Sequence, residues 1–540
     1  MFGLMQEAQL TLDGLLSHAA RWHGKTEVAW NDSDAVCHRT TYSDCLRRAK
    51  QVSNALRSIG IKLGDRIGTL GWNSAHHFEA WYGAVGMGAI CHTLNPRLLP
   101  DQIAFLVGDA GDRVIFADRA CLPILEAILS KSPTVERIIF FDDENISYIE
   151  GTAVTTWGFD SWISQFSDEC DWGNFDERSA AGLCYTSGTT GNPKGVLYSH
   201  RSNYLHSLIT CQADSLDLSS RDTVLLLVPM YHANAWGLVY SAPMVGAKLV
   251  LPGQRVDGAT LYKLIESEAV TFAAGVPTVW QGLLTYCRQT GSKLTTLRRA
   301  MVAGSVCPET IIREFLDHGV EVLHAWGMTE ASPLATVSSP TREIAAMSLN
   351  DRIRYTLKQG RTLPGVDLKL TDAGGARLPH DGQTPGRLHI KGETIVRAYF
   401  GREGSSVLDG EGFFDTGDIA TIDDRGYMQV TDRAKDVIKS GGEWISSVAL
   451  ENIAMSHPKA ELCAVIGIPH PKWDERPLLL MKLKGDQVAS AEEIRFFLEG
   501  KIAKWWMPDE VRFVDNIPLG ATGKIDKKAL RDLYSNLSFG

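Results

Sequence analysis

The hydrophobic and polar positions of the N-terminal part of the chain alternate between helical spacing and the short apolar runs of buried strands. Residues 41–60 begin with a capping threonine, repeat apolar residues at helical spacing and end at glycine, which predicts an amphipathic helix. Residues 65–73 are predicted to form a buried strand. The same pairing returns in 101–118 and 121–141. Strands that alternate with helices predict parallel sheets covered by helices.

From about Gly360 the pattern changes to short strands separated by turns, at 366–372, 386–392 and 426–432. A chain of 540 residues with 44% apolar content can bury a large core and is predicted to divide into more than one domain. No internal repeat or low-complexity linker marks the boundary.

Composition and charge exclude several partners. A net charge of −10 argues against nucleic acid or an anionic membrane as the main partner. No stretch approaches eighteen consecutive apolar residues, so no integral membrane segment is predicted. The N-terminus lacks the features of a signal peptide, and the ten cysteines contain no C-x-x-C pair. These features predict a cytoplasmic protein with reduced thiols, in which Cys184 is a small buried hydrophobe.

The segment YTSGTTGNPKG, residues 185–195, has the composition of a phosphate-binding loop between two strands. Its glycines let the backbone approach an anion, its hydroxyls can donate, and Lys194 adds a positive charge. It is not a Walker loop, because Gly195 and Val196 follow the lysine. Such clusters also form ordinary surface loops, so the context decides. The predicted residues are Thr186, which is also assigned to catalysis, and Ser187, Gly188, Thr189, Thr190, Gly191 and Lys194.

This loop resembles the phosphate-binding signature of the adenylate-forming superfamily, which contains acyl-CoA synthetases, luciferase and the adenylation domains of peptide synthetases. Further motifs match in the expected order along nearly the whole chain. HAWGMTE, residues 324–330, resembles the segment that covers adenine with an aromatic ring and ends in a metal-binding glutamate. Magnesium prefers such an oxygen ligand. The resemblance implies nucleotide contacts for His324, Trp326, Gly327, Met328 and Thr329, and a catalytic, Mg-binding role for Glu330.

Two further segments resemble the family's ribose site and its hinge. In DTGD, residues 415–418, Asp418 would accept hydrogen bonds from both ribose hydroxyls. DRAKD, residues 432–436, would join a large N-terminal domain (1–431) to a small C-terminal domain (437–540). Arg433 would reach the ribose or the α-phosphate, and the backbone of Lys435 would rotate. Taken alone, both segments could be ordinary turns.

Lys524, in PLGATGKIDK, resembles the lysine that makes adenylate formation possible. The attack of one anion on another is opposed by charge, so an ammonium near both groups stabilises the developing negative charge. A lone lysine in such a turn is usually solvated. Its place on a small domain after the hinge favours the catalytic interpretation.

SGGEWIS, residues 440–446, resembles the CoA site of the fatty-acyl-CoA synthetase branch. Gly441 and Gly442 remove side chains where a pantetheine arm must pass, and Trp444 offers a face to the nucleotide. Lys439 and Glu443 are assigned to the same cofactor site.

The acid-binding residues are predicted from VPMYHANAW, residues 228–236, and from shorter matches. His232 resembles the family residue beside the substrate carboxylate, and it is assigned to catalysis. Trp236 resembles an indole that gates a fatty-acid tunnel. Both could also be core residues. Four residues differ from the usual family pattern and favour a modified pocket: Ala303, Val306, Ala335 and Thr394. The predicted pocket residues are Trp236, Gly275, Ala303, Gly304, Ser305 and Ala335.

The sequence therefore predicts an α/β protein with a large domain of layered sheets and helices, a small β-barrel before the hinge, and a mobile α+β C-terminal domain. It predicts an ATP-dependent acid–CoA ligase that uses Mg and CoA on a medium- or long-chain fatty acid. An arylalkanoate or a short or branched acid is the first alternative, and an acyl-AMP-forming enzyme that does not use free CoA is the second. A non-catalytic nucleotide-binding module is the third. The resemblance also implies a homodimer.

Overall fold

The structure is a computed structural model that describes residues 1, 3–143, 149, 151–186, 193–440, 443–520 and 524–539, with the backbone alone at 443 and 444. The predicted alternation of helix and strand is confirmed. The helix Tyr42–Ser58 begins behind Thr41, whose side chain accepts the backbone N–H of Asp44. Among the described residues, no helix combines the length and hydrophobicity that a membrane span requires.

Two sheets with mostly parallel strands form the body of the large domain. In spatial order, the first consists of Arg361–Thr362, Leu334–Val337, Glu321–Gly327, Arg299–Val302, Phe272–Gly275, Thr223–Leu225, Lys248–Leu251, Glu27–Asn31 and Cys37–Thr41. The second consists of Thr155–Gly158, Arg137–Phe140, Val114–Ala117, Arg66–Leu70, Ile90–Leu94, Ala180–Thr186 and Lys194–Ser199.

Helices cover both sheets and bury the apolar faces between them. Their order along the large domain is Asp13–Trp22, Tyr42–Ser58, Ala75–Gly86, Pro100–Ala110, Leu122–Leu129, Phe159–Ile163, His200–Thr210, Leu238–Val245, Gly258–Ser267, Pro277–Thr290, Glu309–Asp317, Arg342–Ala345 and Leu349–Thr356. Short 3₁₀ turns lie at Arg119–Cys121 and Thr329–Ala331. Cys184 is buried in this core, as predicted.

A smaller antiparallel sheet follows, from Val366–Thr371 through Gly386–Gly392 and Phe414–Ile422 to Met428–Arg433. The sequence predicted a small β-barrel here; the described strands form one four-stranded sheet in this order, with no pairing between its two edge strands among the described residues. Its apolar face packs on Tyr198 and Trp326. Because the core of the large domain covers that face, burial does not require closure.

The small domain has its own sheet and core. Its strands are Glu443–Ile445, Ile438–Ser440, Asp474–Leu483 and Ala460–His470, and Glu510–Phe513 pairs with Asp474–Leu483. Its helices are Ser447–Met455, Ala491–Leu498 and Lys527–Leu533, with a 3₁₀ turn at Lys504–Trp506. The last strand of the large domain ends at Arg433 and the first of the small domain begins at Ile438, so residues 434–437 connect the two sheets.

One backbone segment departs from ordinary helical geometry. Ala233, Asn234, Ala235 and Trp236 have φ angles of 42°, 59°, 49° and 54°, so four consecutive non-glycine residues form a left-handed turn. A left-handed residue with a Cβ costs about 1–2 kcal/mol. The turn is buried, and Asn234 Nδ2 donates to Asn203 Oδ1 over 3.3 Å. Its surroundings must therefore hold it in place.

Candidate active site

The phosphate-binding segment joins two antiparallel strands at the edge of a sheet. Thr186 ends one strand and lies opposite Lys194, which begins the next. The intervening predicted residues, Ser187, Gly188, Thr189, Thr190 and Gly191, lie outside the described residues. The sheet register therefore fixes where the two ends of the loop emerge.

Lys194 and Glu330 meet at the ring of Tyr399. The ammonium of Lys194 lies 4.8 Å from the ring centroid, and the Tyr399 hydroxyl donates to Glu330 Oε1 over 2.9 Å. Burial raises the pKa of Glu330, while the positive charges of Arg433 and Lys194 oppose that shift. Sequence reasoning missed Tyr399, because no motif marks an aromatic residue so far from the phosphate loop.

Glu330 offers one buried carboxylate, held by Tyr399, which is a ligand of the kind that Mg²⁺ prefers. Among the residues that the structure describes, no group of three or more His, Cys, Asp and Glu side chains could hold a metal ion. Magnesium does not require such a cage, because it commonly binds through one or two carboxylates, phosphate oxygens and water. Glu330 satisfies that requirement with its geometry fixed by Tyr399.

Three motifs that are distant in sequence meet at Asp418. The indole N–H of Trp326 donates to Asp418 Oδ2 over 2.9 Å, and Nε of Arg433 lies 2.7 Å from Oδ1. Asp418 and Arg433 face each other on adjacent strands. Burial raises the pKa of Asp418, while Arg433 and Trp326 act against that shift. A carboxylate has about four acceptor positions, so Asp418 keeps capacity for ribose hydroxyls.

Lys524 of the small domain lies close enough to Asp418 and Arg433 for their charges to affect its pKa. A Cβ placed at Gly304 would lie 3.6 Å from Lys524 Cε. Burial and the charge of Arg433 lower the pKa of Lys524 to about 8, and the carboxylate of Asp418 acts in the opposite direction. The structure therefore brings a lysine from near the C-terminus to the residues of the nucleotide motifs.

His232 lies near the same lysine. Burial and the positive charge of Lys524 lower its pKa to about 4. Its imidazole is therefore neutral at physiological pH and can form hydrogen bonds without adding positive charge.

Gly304 marks the point where Trp236, Val276 and Lys524 converge. Its φ of +86° is a left-handed value that favours glycine. A Cβ at this position would lie 3.1 Å from Val276 Cγ1 and 3.4 Å from Trp236 Cζ2. Trp236 itself is only 6% exposed, so the indole closes the space behind Gly304.

The remaining predicted pocket residues are distributed over separate environments. Ala303 is buried in the same hydrophobic cluster as Trp236. Gly275 accepts the backbone N–H of Ala303 over 3.3 Å, and a Cβ on it would meet Trp280 at 3.2 Å. Ala335 is fully buried in another cluster, with Trp326, and Ser305 is exposed. Only Ala303 and Gly304 are thus grouped with Trp236.

His324 lies beneath the site and does not face it. Its Nδ1 lies 3.1 Å from the carbonyl oxygen of Leu357 and must donate, and its Nε2 accepts the backbone N–H of Cys307 over 3.3 Å. Burial lowers its pKa to about 4. Both ring nitrogens are occupied by the protein, so the structure gives His324 a supporting place under the nucleotide segment.

Gly327, Met328 and Thr329 of this motif form the turn that precedes Glu330. A Cβ at Gly327 would lie 2.0 Å from the carbonyl oxygen of Pro333, so only glycine fits. The backbone N–H of Met328 donates to the same oxygen over 2.9 Å. The carbonyl oxygen of Thr329 accepts the hydroxyl of Tyr198 over 2.8 Å.

The predicted CoA segment is a hairpin of the small domain. Lys439 and Ser440 pair with Trp444 and Glu443, respectively. Gly441 and Gly442 lie outside the described residues, and so do the side chains at 443 and 444. Lys439 is exposed and its backbone N–H donates to Glu475 over 2.9 Å.

Two other residues adjoin this hairpin. Arg476 donates to Ser440 Oγ over 3.1 Å and to the carbonyl oxygen of Trp505 over 2.7 Å. It thereby links the hairpin to the segment of Trp505, and the sequence analysis did not predict this contact. Lys435 is exposed on the connection between the domains.

Two family models together match most of the chain. The model described as AMP-binding enzyme matches residues 15–400, and the model described as AMP-binding enzyme C-terminal domain matches residues 449–524. The second match ends at Lys524.

Individual relatives align over their whole length. A medium-chain-fatty-acid–CoA ligase of Ectopseudomonas oleovorans is 46% identical over 99% of this chain and 98% of its own. A 3-methylmercaptopropionyl-CoA ligase of Ruegeria lacuscaerulensis is 45% identical over all of both chains. The crystal structure of an anthranilate CoA ligase in complex with anthranoyl-AMP has a TM-score of 0.85 at 26% identity and covers 98% of each chain.

Proposed function

The chain belongs to the AMP-binding enzyme family and is an ATP-dependent acid–CoA ligase; we propose that its acid is an aliphatic carboxylate of short to medium chain length. The observation that carries this proposal is the enclosure of Gly304 by Lys524, Val276 and the indole of Trp236. A carboxylate at this point meets an ammonium on one side and an apolar wall behind.

The first half-reaction joins the acid to AMP. The substrate carboxylate attacks the α-phosphorus of ATP, an acyl-adenylate forms and pyrophosphate leaves. Lys524 lies where its ammonium reduces the repulsion between the two anions and stabilises the charge of the transition state. Asp418 and Arg433 orient the ribose, and Trp326 packs against adenine. The hydroxyls of the phosphate loop and Lys194 hold the phosphates.

Glu330 would hold Mg²⁺ together with phosphate oxygens, and the ion would supply neutralising charge to the phosphates. Tyr399 keeps the carboxylate in place through its hydrogen bond.

In the second half-reaction the CoA thiol attacks the acyl carbonyl carbon and AMP leaves. We assign this step to a rotation of the small domain about residues 434–437, which withdraws Lys524 and presents the hairpin of Lys439 and Trp444. Domain rotation that rebuilds one site for a second step agrees with hinge mechanics in other enzymes. Gly441 and Gly442 would leave room for the pantetheine arm.

The identity of the acid is supported by the relatives and by Trp236. Relatives of 45–46% identity are named for 3-methylmercaptopropionyl and medium-chain acyl groups. The buried indole of Trp236 stands next to Gly304, and we propose that it restricts the length of the acid. An arylalkanoate is the alternative, because a flat ring could stack beside the indole.

A panel of acids tests this assignment. Pyrophosphate release is measured with and without CoA for straight-chain acids of increasing length, 3-(methylthio)propanoate and phenylalkanoates. We expect CoA-dependent turnover to be highest for the short and medium aliphatic acids. Preference for phenylalkanoates or long chains contradicts the proposal, and turnover that does not depend on CoA favours an acyl-AMP-forming enzyme. Light scattering of the same preparation tests the predicted homodimer.

Adenylate formation should decline at alkaline pH. The pKa of Lys524 is lowered to about 8, so the ammonium is present below that pH and is lost above it. We expect kcat/KM for pyrophosphate release to fall about tenfold per pH unit above the pKa, because only the protonated lysine stabilises the transition state. A pH–rate profile at saturating ATP measures this decline. A rate that stays level far above pH 8 would contradict the assignment of Lys524.

Replacing Trp236 with alanine should move the substrate preference toward longer acids. The change removes the wall behind Gly304, and differences of about 1–3 kcal/mol between acids are available from such pocket changes. We expect kcat/KM to rise for long acids and to fall for short ones. Ala303→Gly, which frees only a methyl group in the same cluster, should shift the preference less. An unchanged chain-length profile in both variants would show that the acid lies elsewhere.

A further inference from the structure

Lys527 is a buried lysine that the proposed chemistry does not use. Its ammonium donates to Ser447 Oγ over 2.7 Å and lies 2.9 Å from Glu451 Oε1. The side chains of Lys527 and Glu451 are each only 11% exposed. Glu451 also accepts the backbone N–H of Val465 over 2.7 Å, which ties it to the sheet of the small domain.

Ser447 carries this network across the domain boundary. Its hydroxyl donates to Asp432 Oδ2 over 2.7 Å, and its backbone N–H donates to the same oxygen over 2.5 Å. Asp432 is 1% exposed and pairs with Ile419 in the antiparallel sheet of the large domain. The carboxylate therefore belongs to the large domain by its backbone, whereas Ser447, Glu451 and Lys527 belong to the small one.

The network begins three residues after Lys524. Asp526 caps the helix Lys527–Leu533 by accepting the backbone N–H of Ala529, and its own N–H donates to the carbonyl oxygen of Pro518 over 2.9 Å. The carbonyl oxygen of Lys524 accepts the N–H of Gly520 over 2.7 Å. Lys524 is thus held by Gly520 on one side and by the helix that begins at Lys527 on the other.

We propose that Lys527 is a positioning residue for adenylate formation: through Ser447 it attaches the segment 524–527 to Asp432 of the large domain. This inference rests on the proposed function of Lys524. The attachment exists only while the small domain presents Lys524, because rotation about 434–437 carries Ser447 and Lys527 away from Asp432. Lys527 therefore supports the first half-reaction and not the second.

The charges around Lys527 support the same interpretation. The positive charge of Lys527 lies between two buried carboxylates, those of Asp432 and Glu451, and burial raises the pKa of both. A buried charge requires a partner, so the ammonium and the two carboxylates stabilise one another. The nearby Arg531 pairs instead with Asp436 at 2.6 Å and does not replace it.

The test separates the two half-reactions in Lys527→Met, with Lys528→Met as the matched control. Lys528 is the next residue of the same helix and is exposed. Adenylation is measured as pyrophosphate release from acid and ATP, and thioester formation is measured from added acyl-adenylate and CoA. Misplacing a catalytic group by about 1 Å can cost about 100-fold, so we expect adenylation to fall about 10- to 100-fold. Thioester formation and both activities of Lys528→Met should stay near those of the unmodified enzyme.

Ser447→Ala provides a second variant if Lys527→Met does not fold. It removes the hydroxyl that joins Lys527 to Asp432, while the backbone N–H of residue 447 can still donate to Asp432 and the pair of Lys527 and Glu451 stays intact. Lys527→Arg should recover part of the adenylation rate, since a cation returns to the same site. An equal loss of both half-reactions in Ser447→Ala would assign the network to stability alone, and no loss in either variant would also overturn the proposal. Absence of adenylation in the unmodified enzyme with every acid would instead refute the proposed function.

Discussion

Replacing Lys524 with methionine is expected to abolish most of adenylate formation while leaving thioester formation from added acyl-adenylate nearly intact. Methionine keeps the length and apolar stem of the side chain but removes the ammonium beside Gly304. Removal of one group that stabilises developing charge typically costs about 10²–10³-fold in kcat. That loss corresponds to about 3–4 kcal/mol of transition-state stabilisation. Single-turnover measurements of pyrophosphate release and of thioester formation determine both rates.

The alkaline decline provides the control for this variant. If the ammonium of Lys524 carries the effect, the methionine variant should lose the decline above the pKa of about 8. His232 is not expected to substitute for it, because burial, the larger cause of its lowered pKa, remains in the variant. Unimpaired pyrophosphate release in Lys524→Met would remove the lysine from the first half-reaction.

Replacing Glu330 with glutamine is expected to have the second large effect. The amide oxygen can still accept the Tyr399 hydroxyl, but the negative charge that would face Mg²⁺ is lost. Metal ions supply several kcal/mol of charge stabilisation, so we expect kcat/KM to fall about 10²-fold or more. Pyrophosphate release as a function of Mg²⁺ concentration measures this loss.

Tyr399→Phe is the matched control for Glu330. It removes the hydrogen bond that orients the carboxylate but keeps the charge and the ring beneath Lys194. Partners that orient a metal ligand typically contribute about 10–100-fold to metal affinity. We therefore expect Tyr399→Phe to need more Mg²⁺ and to recover at high concentration, whereas Glu330→Gln should not recover. Equal recovery of both would argue that Glu330 does not hold the ion.

The sequence predicted the parts of the site that occur in compact motifs. Asp418, Arg433 and Lys524 lie in short segments of distinctive composition, and the structure brings them together. Tyr399 could not be found in this way, because its role depends on a hydrogen bond to a residue 69 positions away. The same is true of Lys527, which in the sequence is one of several charged residues near the C-terminus.

Sequence patterns also overstate how directly each motif residue acts. His324 lies within a nucleotide motif, yet its ring nitrogens bind the protein backbone beneath the site. Gly275 was assigned to the pocket, whereas it packs against Trp280. The small β-barrel that the sequence predicted is described as one antiparallel sheet, since the turn pattern at 366–432 indicates strands but not which edges will pair. Motif spacing therefore indicates the neighbourhood of a residue, and packing decides what its side chain contacts.

The left-handed turn at 233–236 sets the thermal stability of the enzyme against its selectivity for the acid. At about 1–2 kcal/mol per residue, four such residues store an amount comparable to the whole net stability of a small domain. Replacing Ala233 or Ala235 with glycine would relieve this strain. Laboratory selection for a higher melting temperature is therefore expected to enrich these substitutions. The same substitution would increase the mobility of the Trp236 indole and lower the selectivity for the acid. Thermal stability can therefore be increased at this turn by a single substitution, but substrate selectivity is expected to decrease.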